Sequence, residues 1–378
     1  NIAGGWGAGT FVGSVGITLN NLSVKRFFKK GAWRPYPQGQ NQRLNITAQT
    51  NGTYYKSASV SFTDPWLGGK KPNSFTVSFH WSEENDALYV WDTPTQYFRA
   101  LGLSAGLGRR LNWPDPYFTL YTELVYQRYK LKDWGYFIMK NGKANVLALR
   151  GVLSRNSVDQ PLYPRRGSEF TVSVAVTPPH SLWDGKDYSD KTMDDQTRYR
   201  WIEYHKWDLK AQWFYPLTKN NDLVLMASAE MGYLGNYNPN KLSPFELYDV
   251  GGDGMSGYSV YGVDVIRLRG YDDSALNPTT GTGYSRVYNK YTVELRYPIM
   301  MKPSSTIYGL VFAEGGNGFN SWKEFSPFKI KRSAGVGVRL YLPVVGMMGI
   351  DWGWGFDPPA GGTKRSGSQI HFMIGQQF

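Results

Sequence analysis

Four histidines, His80, His180, His205 and His371, are the whole imidazole complement of this 378-residue chain, which has no cysteine. They are scattered over strands and a loop. No serine sits in the G-x-S-x-G elbow of a hydrolase: around Ser256 the chain reads GMSGY, without the closing glycine. No HExxH zinc pair occurs. The acidic run DYSDKTMDD (187–195) has charge enough for calcium but lacks the spaced oxygen ligands and turn glycine of a dedicated site, so it reads as a solvated loop. The expectation is a protein that is not an enzyme and carries no metal and no cofactor.

One arrangement does call for chemistry of another kind. The segment VDVIRLRGYD (263–272) lies in a long glycine-rich connection, yet sets Arg269 between Leu268 and Gly270, with Tyr271 following. A solvated loop needs no such order. A guanidinium placed in a water-poor interior needs carboxylates, because an unpaired buried charge costs several kcal/mol. Two downstream strands offer them. In YTVELRYPI, Glu294 points to the face opposite Val293, Leu295 and Tyr297; in IYGLVFAEGG, Glu314 ends the strand and shares parity with Leu310 and Phe312. Either that second face is inward and locally greasy, or a bulge intervenes. The plainer alternative makes Arg269 a surface charge and both glutamates ordinary wall residues.

The elements that must position these residues are strands. Aromatics make up 16% of the chain, with 27 Tyr and 14 Trp, while the mean hydropathy is −0.44. No run reaches the roughly 18 apolar residues of a membrane helix. Alternation with period two recurs instead. In SAGVGVRLYL, Val336, Val338 and Leu340 oppose Gly335, Gly337 and Arg339; then Ile350, Trp352 and Trp354 oppose Asp351, Gly353 and Gly355. In the last segment Ile370, Phe372, Ile374 and Phe378 oppose His371, Met373, Gly375 and Gln377. Bulky rings on one face and glycine or charge on the other suit lipid outside and a wet or plugged lumen inside.

About sixteen such segments are expected, near 1–9, 11–19, 42–50, 54–63, 73–81, 97–109, 118–129, 144–155, 167–177, 202–215, 222–233, 286–298, 305–314, 331–342, 345–356 and 367–378. The fold class is therefore all-β: a single antiparallel transmembrane β-barrel of about sixteen strands over 1–378, with a long extracellular loop folded into the lumen. Connections after odd strands include the long ones, 82–96, 130–143, 178–201 and 234–285; those after even strands are mostly short, which puts both termini on the periplasmic side. The basic connection 20–41 breaks that rule. A soluble propeller or solenoid is the rival, but no fixed repeat period appears.

The net charge of +12 comes from turn-borne clusters such as Lys25, Arg26, Lys29 and Lys30, or Lys364 and Arg365. No nucleic-acid motif surrounds them, so solvated turns or contact with anionic lipid are expected rather than nucleic acid.

Taken together, these motifs resemble the barrel domain of the outer-membrane protein assembly (insertase) family, which includes polypeptide-secretion relatives. Leu268-Arg269-Gly270-Tyr271 is similar to the family's Val/Ile-Arg-Gly-Phe/Tyr tetrad on its lumenal loop, with Leu in first place. Glu294 in VELRYP and Glu314 in FAEGG match the acids that pair with that arginine, the second being Glu where Asp is usual, which lengthens one arm. The opening GGWGAGTFVGSVGITLNNL, YYKSASVSFTDPWLGG, YPRRGSEFTVSV and SAGVGVRLYLPVVGMMGIDWGWGF resemble the first hairpin, fourth strand, a periplasmic turn and the closing strands. FMIGQQF, with Ile370, Phe372, Ile374, Gly375 and Phe378, is similar to the terminal signal of outer-membrane proteins.

The resemblance implies an insertase of bacterial outer membranes, with periplasmic POTRA domains upstream of Asn1, nascent β-barrel proteins as substrates and accessory lipoproteins as partners. It also implies a lateral seam between the first and last strands. Gly4, Gly5, Gly7 and Gly9 fit a weak seam, since glycine adds entropy cost and no side-chain packing, though lumen space or a bulge explains them equally. In this reading Arg269 braces the far wall while the seam moves. Lys329, Lys331, Arg332, Lys364 and Arg365 are candidate contacts for lipopolysaccharide phosphates. A passive channel shares the architecture but leaves the tetrad and its acids unexplained.

Overall fold

The structure is a computed structural model that describes residues 2–7, 10–50, 53–69, 72–87, 92–220, 222–254, 262–302, 305–343 and 346–374. Period-two alternation builds the wall. β1 (Ile2–Gly7), β2 (Thr10–Leu22), β3 (Gln42–Thr50), β4 (Tyr55–Asp64), β5 (Asn73–Asn85) and β6 (Tyr97–Arg110) follow one another in sequence. β7 (Phe118–Lys132), β8 (Gly142–Asn156), β9 (Gly167–Val176), β10 (His205–Pro216) and β11 (Val224–Gly235) continue the same sheet. Two short strands, β12 (Leu247–Val250) and β13 (Val263–Ile266), then stand apart as a parallel pair. The wall resumes with β14 (Val287–Lys302), β15 (Ser305–Phe319), β16 (Lys331–Leu342), β17 (Gly346–Gly355) and β18 (Gly367–Ile374).

β11 pairs with β14, so sixteen strands form one sheet in chain order, each antiparallel to its neighbour. The expected strand count holds. The parallel ribbon inside the loop was not foreseen, since four-residue strands carry too little alternation to register.

Alternation also decides the faces. Val336, Val338, Ile350, Trp352, Trp354, Ile370 and Phe372 are exposed, whereas Ser333, Arg339, Asp351, His371 and Met373 between them are buried. The apolar face therefore looks outward and the polar face inward, opposite to a soluble sheet packed on a core. Among the described residues no helix is long and apolar enough to cross a membrane; the one α-helix is the single turn Asp195–Arg198.

The connection 236–286 shows that the sheet curls. Its residues touch β6 and β7 through Phe245, which packs 4.3 Å from Tyr129 and 6.0 Å from Phe98 between ring centroids. They touch β10 through Asp264, whose carboxylate accepts from Lys206 Nζ at 2.5 Å. They reach β18 through Gly270, whose N–H donates to His371 Nε2 at 2.7 Å. Strands so far apart in sheet order meet one short segment only if the sheet wraps around it as a barrel.

Two boundary expectations are corrected. Glu314 does not end its strand: β15 runs on to Phe319. Gly315, Gly316 and Gly318 look like a turn, yet loop atoms fill the space side chains would take at Gly316 and Gly318, Leu268 Cδ1 lying 2.6 Å from a Cβ placed on Gly316, and Ile330 fills it at Gly315. β14 likewise continues past Pro298 to Lys302, through a register shift between Pro298 and Met300.

Candidate functional site

Arg269 is fully buried, and three strands of the wall supply its partners. Its Nη2 lies 2.6 Å from Glu294 Oε1 on β14 and 2.6 Å from Glu314 Oε1 on β15. The second oxygen of Glu314 accepts the Arg269 backbone N–H at 2.9 Å, so one carboxylate fixes both the side chain and the main chain of the same residue. Asp351 on β17 stands 3.5 Å from Nη1. Beneath the guanidinium lies the ring of Phe312, 3.6 Å from the Arg269 Cζ to its centroid, a stacking geometry that favours Arg over Lys.

Register explains why these groups converge. Glu294 pairs with Phe312 across β14–β15, Phe312 with Gly335 on β16, and Gly335 with Gly353 on β17. One row lower, Arg296 pairs with Leu310, Leu310 with Gly337, Gly337 with Asp351, and Asp351 with His371. Each row sets charged or bulky residues beside glycine, which leaves room for them. The greasy inward face of β15 is thus the correct alternative: Val311 is 55% exposed while Leu310, Phe312 and Glu314 are buried. The longer Glu314 reaches its target without displacing the loop.

The sequence reading missed half of the network. Arg296 donates from Nε to Glu294 Oε2 at 2.8 Å, and Arg339 grips Asp351 bidentately at 2.9 and 2.8 Å. Three arginines (269, 296, 339) and three acids (294, 314, 351) balance, so the buried cluster is neutral when all are ionised. The signal was present: Arg296 follows Glu294 by two residues, and Arg339, Asp351 and His371 all fall on the inward face of the closing strands.

Gly270 and Tyr271 complete the contact. Gly270 has φ +84°, and a Cβ there would stand 2.8 Å from Ser333 Cβ and 3.0 Å from the Gly355 nitrogen. Gly353 concedes matching space on the wall, a Cβ there falling 2.8 Å from the Gly270 nitrogen. Two backbones can approach so closely only where neither carries a side chain. Tyr271, fully buried, donates its hydroxyl to the Arg332 carbonyl at 2.7 Å.

These contacts extend the brace. Its partners lie on β14 and β15, where Glu294 and Glu314 were sought, but also on β17, and the adjoining Gly270 reaches β18, the last strand, so it grips the closing side of the sheet as well. Because Gly270 donates to His371 Nε2, that nitrogen is unprotonated and Nδ1, 3.7 Å from Asp253 Oδ2, carries the proton. Asp253 also accepts the Phe372 backbone N–H at 3.0 Å. The loop therefore holds the closing strand by side chain and by main chain.

Of the seam residues, Gly4, Gly5 and Gly7 lie in β1, paired with Gly13, Val12 and Thr10 of β2. Gly9, Gly375 and Phe378 lie outside the described residues, as does the side chain of Ile374. Ile370 and Phe372 face outward. In the 187–195 run, Asp187 accepts from Ser189, Asp190 from Thr192, and Asp194 caps the Thr197 N–H, so these carboxylates serve turns. Among the described residues no group of three His, Asp or Glu is placed to hold a metal. Arg332 is held by Asp357 at 3.0 Å, and that hydrogen bond keeps the Asp357 carboxyl below the usual carboxylate range.

Comparison with known proteins supplies the frame. Residues 38–378 match the Omp85 superfamily domain. A crystal structure of BamA from Haemophilus ducreyi lacking POTRA domains 1–3 superposes with TM-score 0.66 at 16% identity, covering 98% of this chain and 68% of that one. CdiB from Escherichia coli gives 0.54 at 13% identity over 97% and 59%, and CdiB from Acinetobacter baumannii 0.50 at 13% over 98% and 58%. At such identities the likeness is one of fold. No curated protein sequence matches.

Proposed function

The chain belongs to the Omp85 superfamily of outer-membrane barrels, and from that premise we propose that it inserts and folds β-barrel proteins into the outer membrane. Its substrates are nascent outer-membrane proteins, whose last strands pair with the edge of β1 when the β1–β18 seam parts. An unpaired edge is intolerable in lipid, so it captures a strand by β-augmentation. The barrel acts without catalytic residues, its termini face the periplasm, and POTRA domains and accessory lipoproteins complete the machine. Lipopolysaccharide meets the outer rim through Lys329, Lys331, Lys364 and Arg365.

The observation that carries this reading is the neutral network around Arg269, which pins the loop across the lumen and onto β18. A device that holds the closing strand from inside suits a barrel whose closure is regulated. The glycines of β1 support a weak opposite margin. A diffusion pore gains nothing from a lumen filled by its own loop, and that favours the insertase over a passive channel. Polypeptide secretion, the alternative raised by the likeness to CdiB, would require the loop to leave the lumen.

The test is reconstitution of the full-length protein in vesicles with a urea-unfolded outer-membrane barrel added. Faster appearance of the substrate's heat-modifiable folded band is expected. Steady ionic conductance without acceleration would count for the channel instead.

A further inference from the structure

The connection between β2 and β3 has no part in the lumenal network, yet it is ordered. Ser23 N–H donates to the Pro37 carbonyl at 2.9 Å, Gly39 N–H to Asn21 at 2.9 Å, and Tyr36 Oη to the Asn20 carbonyl at 2.8 Å, which fixes a hairpin with a buried base at Leu22 and Ser23. Arg26 braces it by donating to the Gln38 carbonyl at 3.1 Å. Its tip is built the wrong way round for a free turn. Phe28 is 97% exposed, and Phe27 and Trp33, also exposed, pack edge to face at 4.7 Å with the indole N–H bonded to the Phe27 carbonyl at 3.0 Å. Lys25, Lys29, Lys30 and Arg34, all exposed, flank these rings in the sequence, and residues 20–41 contain no Asp or Glu.

Exposed rings beside unbalanced cations call for a partner that is apolar and anionic at once. Position says which. Antiparallel topology puts this hairpin at the same barrel end as the 65–72 and 111–117 connections, and those display Trp66 and Trp113, the latter 82% exposed. Its base continues β2, whose Val15 and Ile17 face outward. Aromatic rings gathered at one rim of a lipid-facing wall mark the headgroup level, and lysines beyond them are drawn to anionic lipid.

We propose that residues 23–41 are a membrane foot: Phe27, Phe28 and Trp33 enter the interface, and Lys25, Lys29 and Lys30 bind anionic phospholipid headgroups of the leaflet at the short-turn end. The foot rests on the membrane-barrel reading above. It anchors the β2–β3 margin next to β1 and steadies that side against the bilayer. Most of it precedes the matched family domain at residue 38.

The chain has no cysteine, so single reporters are simple to place. Ala32→Cys carries a fluorophore on the foot and Val336→Cys one on the lipid-facing wall, in otherwise cysteine-free full-length protein. Vesicles are phosphatidylcholine alone or an equimolar mixture with phosphatidylglycerol, each with nitroxide headgroups or brominated acyl chains as quenchers. Headgroup quenching at Ala32→Cys should rise about twofold or more when phosphatidylglycerol is present, and the rise should vanish in the K25Q/K29Q/K30Q variant. Equal quenching in both lipids with no effect of the triple change, or quenching by aqueous iodide alone as for a tip that binds a protein or nothing, overturns the foot. Brominated chains should quench Val336→Cys in every vesicle; if they do not, the barrel reading itself falls and the foot with it.

Discussion

At the β14–β18 wall the loop 236–286 is held by charge; at the β6–β7 wall it is held by rings. The first contact sets Arg269 between Glu294 and Glu314 at 2.6 Å each, with Gly270 wedged against Ser333 and Gly355. In the second, Phe245 lies 4.3 Å from Tyr129 and 4.8 Å from Phe137. Charge in a dry interior is directional, since every donor must find its acceptor or cost the full desolvation penalty. Ring packing is non-directional and can rearrange. The wall next to the seam therefore receives the contact with one geometry, and the distant wall the contact that tolerates adjustment. The loop behaves as a strut with one end locked and one end cushioned.

That contrast can be broken most severely at the locked end. Arg269→Ala leaves two buried glutamates facing each other and should cost about 3–5 kcal/mol, read as a lower urea midpoint of the folded barrel. Arg269→Lys should recover less than half of the loss, because a single ammonium nitrogen cannot meet both glutamates and still face Asp351 with a second nitrogen, nor stack as a plane on Phe312. At the cushioned end, Phe245→Ala should cost about 3 kcal/mol through the cavity it leaves, but Phe245→Leu under roughly 1.5 kcal/mol. Equal tolerance of the two conservative changes would erase the distinction between the ends. Glu314→Gln keeps the shape and one acceptor and should cost about 1–3 kcal/mol, with earlier proteolysis within the loop as its sign. Smallest is Asp253→Asn, worth about 1 kcal/mol. Its mark is faster amide exchange at Phe372 while Val338 on β16 is unmoved, and uniform exchange at both would detach Asp253 from the closing strand.

Much of this was legible in the residues because the wall repeats one rule. Period two set sixteen strands and their faces, and Arg269, Glu294 and Glu314 were visible as a candidate trio because buried charge demands partners. The remainder was hidden for physical reasons. Glycines at 315, 316 and 318 suggest a turn in isolation, and only the chain packed against them, the loop at 316 and 318 and Ile330 at 315, explains why glycine stands there in a strand. Arg339 and Asp351 are separated by a hairpin and were seen as two polar wall residues, since register, not spacing, makes them a pair. The reach of the brace beyond Glu294 and Glu314 to β17 and β18 was hidden, because which strands a loop meets is settled only once the sheet curls. The length of the hairpin at 20–41 had no account as sequence alone, where its lysines read equally as a solvated turn or a contact with anionic lipid; its exposed rings decide between the two.

The central claim is that the locked end of the loop is needed for the barrel's work rather than for its existence. The direct measurement is the level of folded outer-membrane proteins in cells whose sole copy carries Arg269→Ala, beside the heat-modifiability of the variant itself. The account predicts a folded, membrane-resident barrel and a clear fall in outer-membrane proteins. Unchanged levels from a correctly folded Arg269→Ala barrel would contradict it.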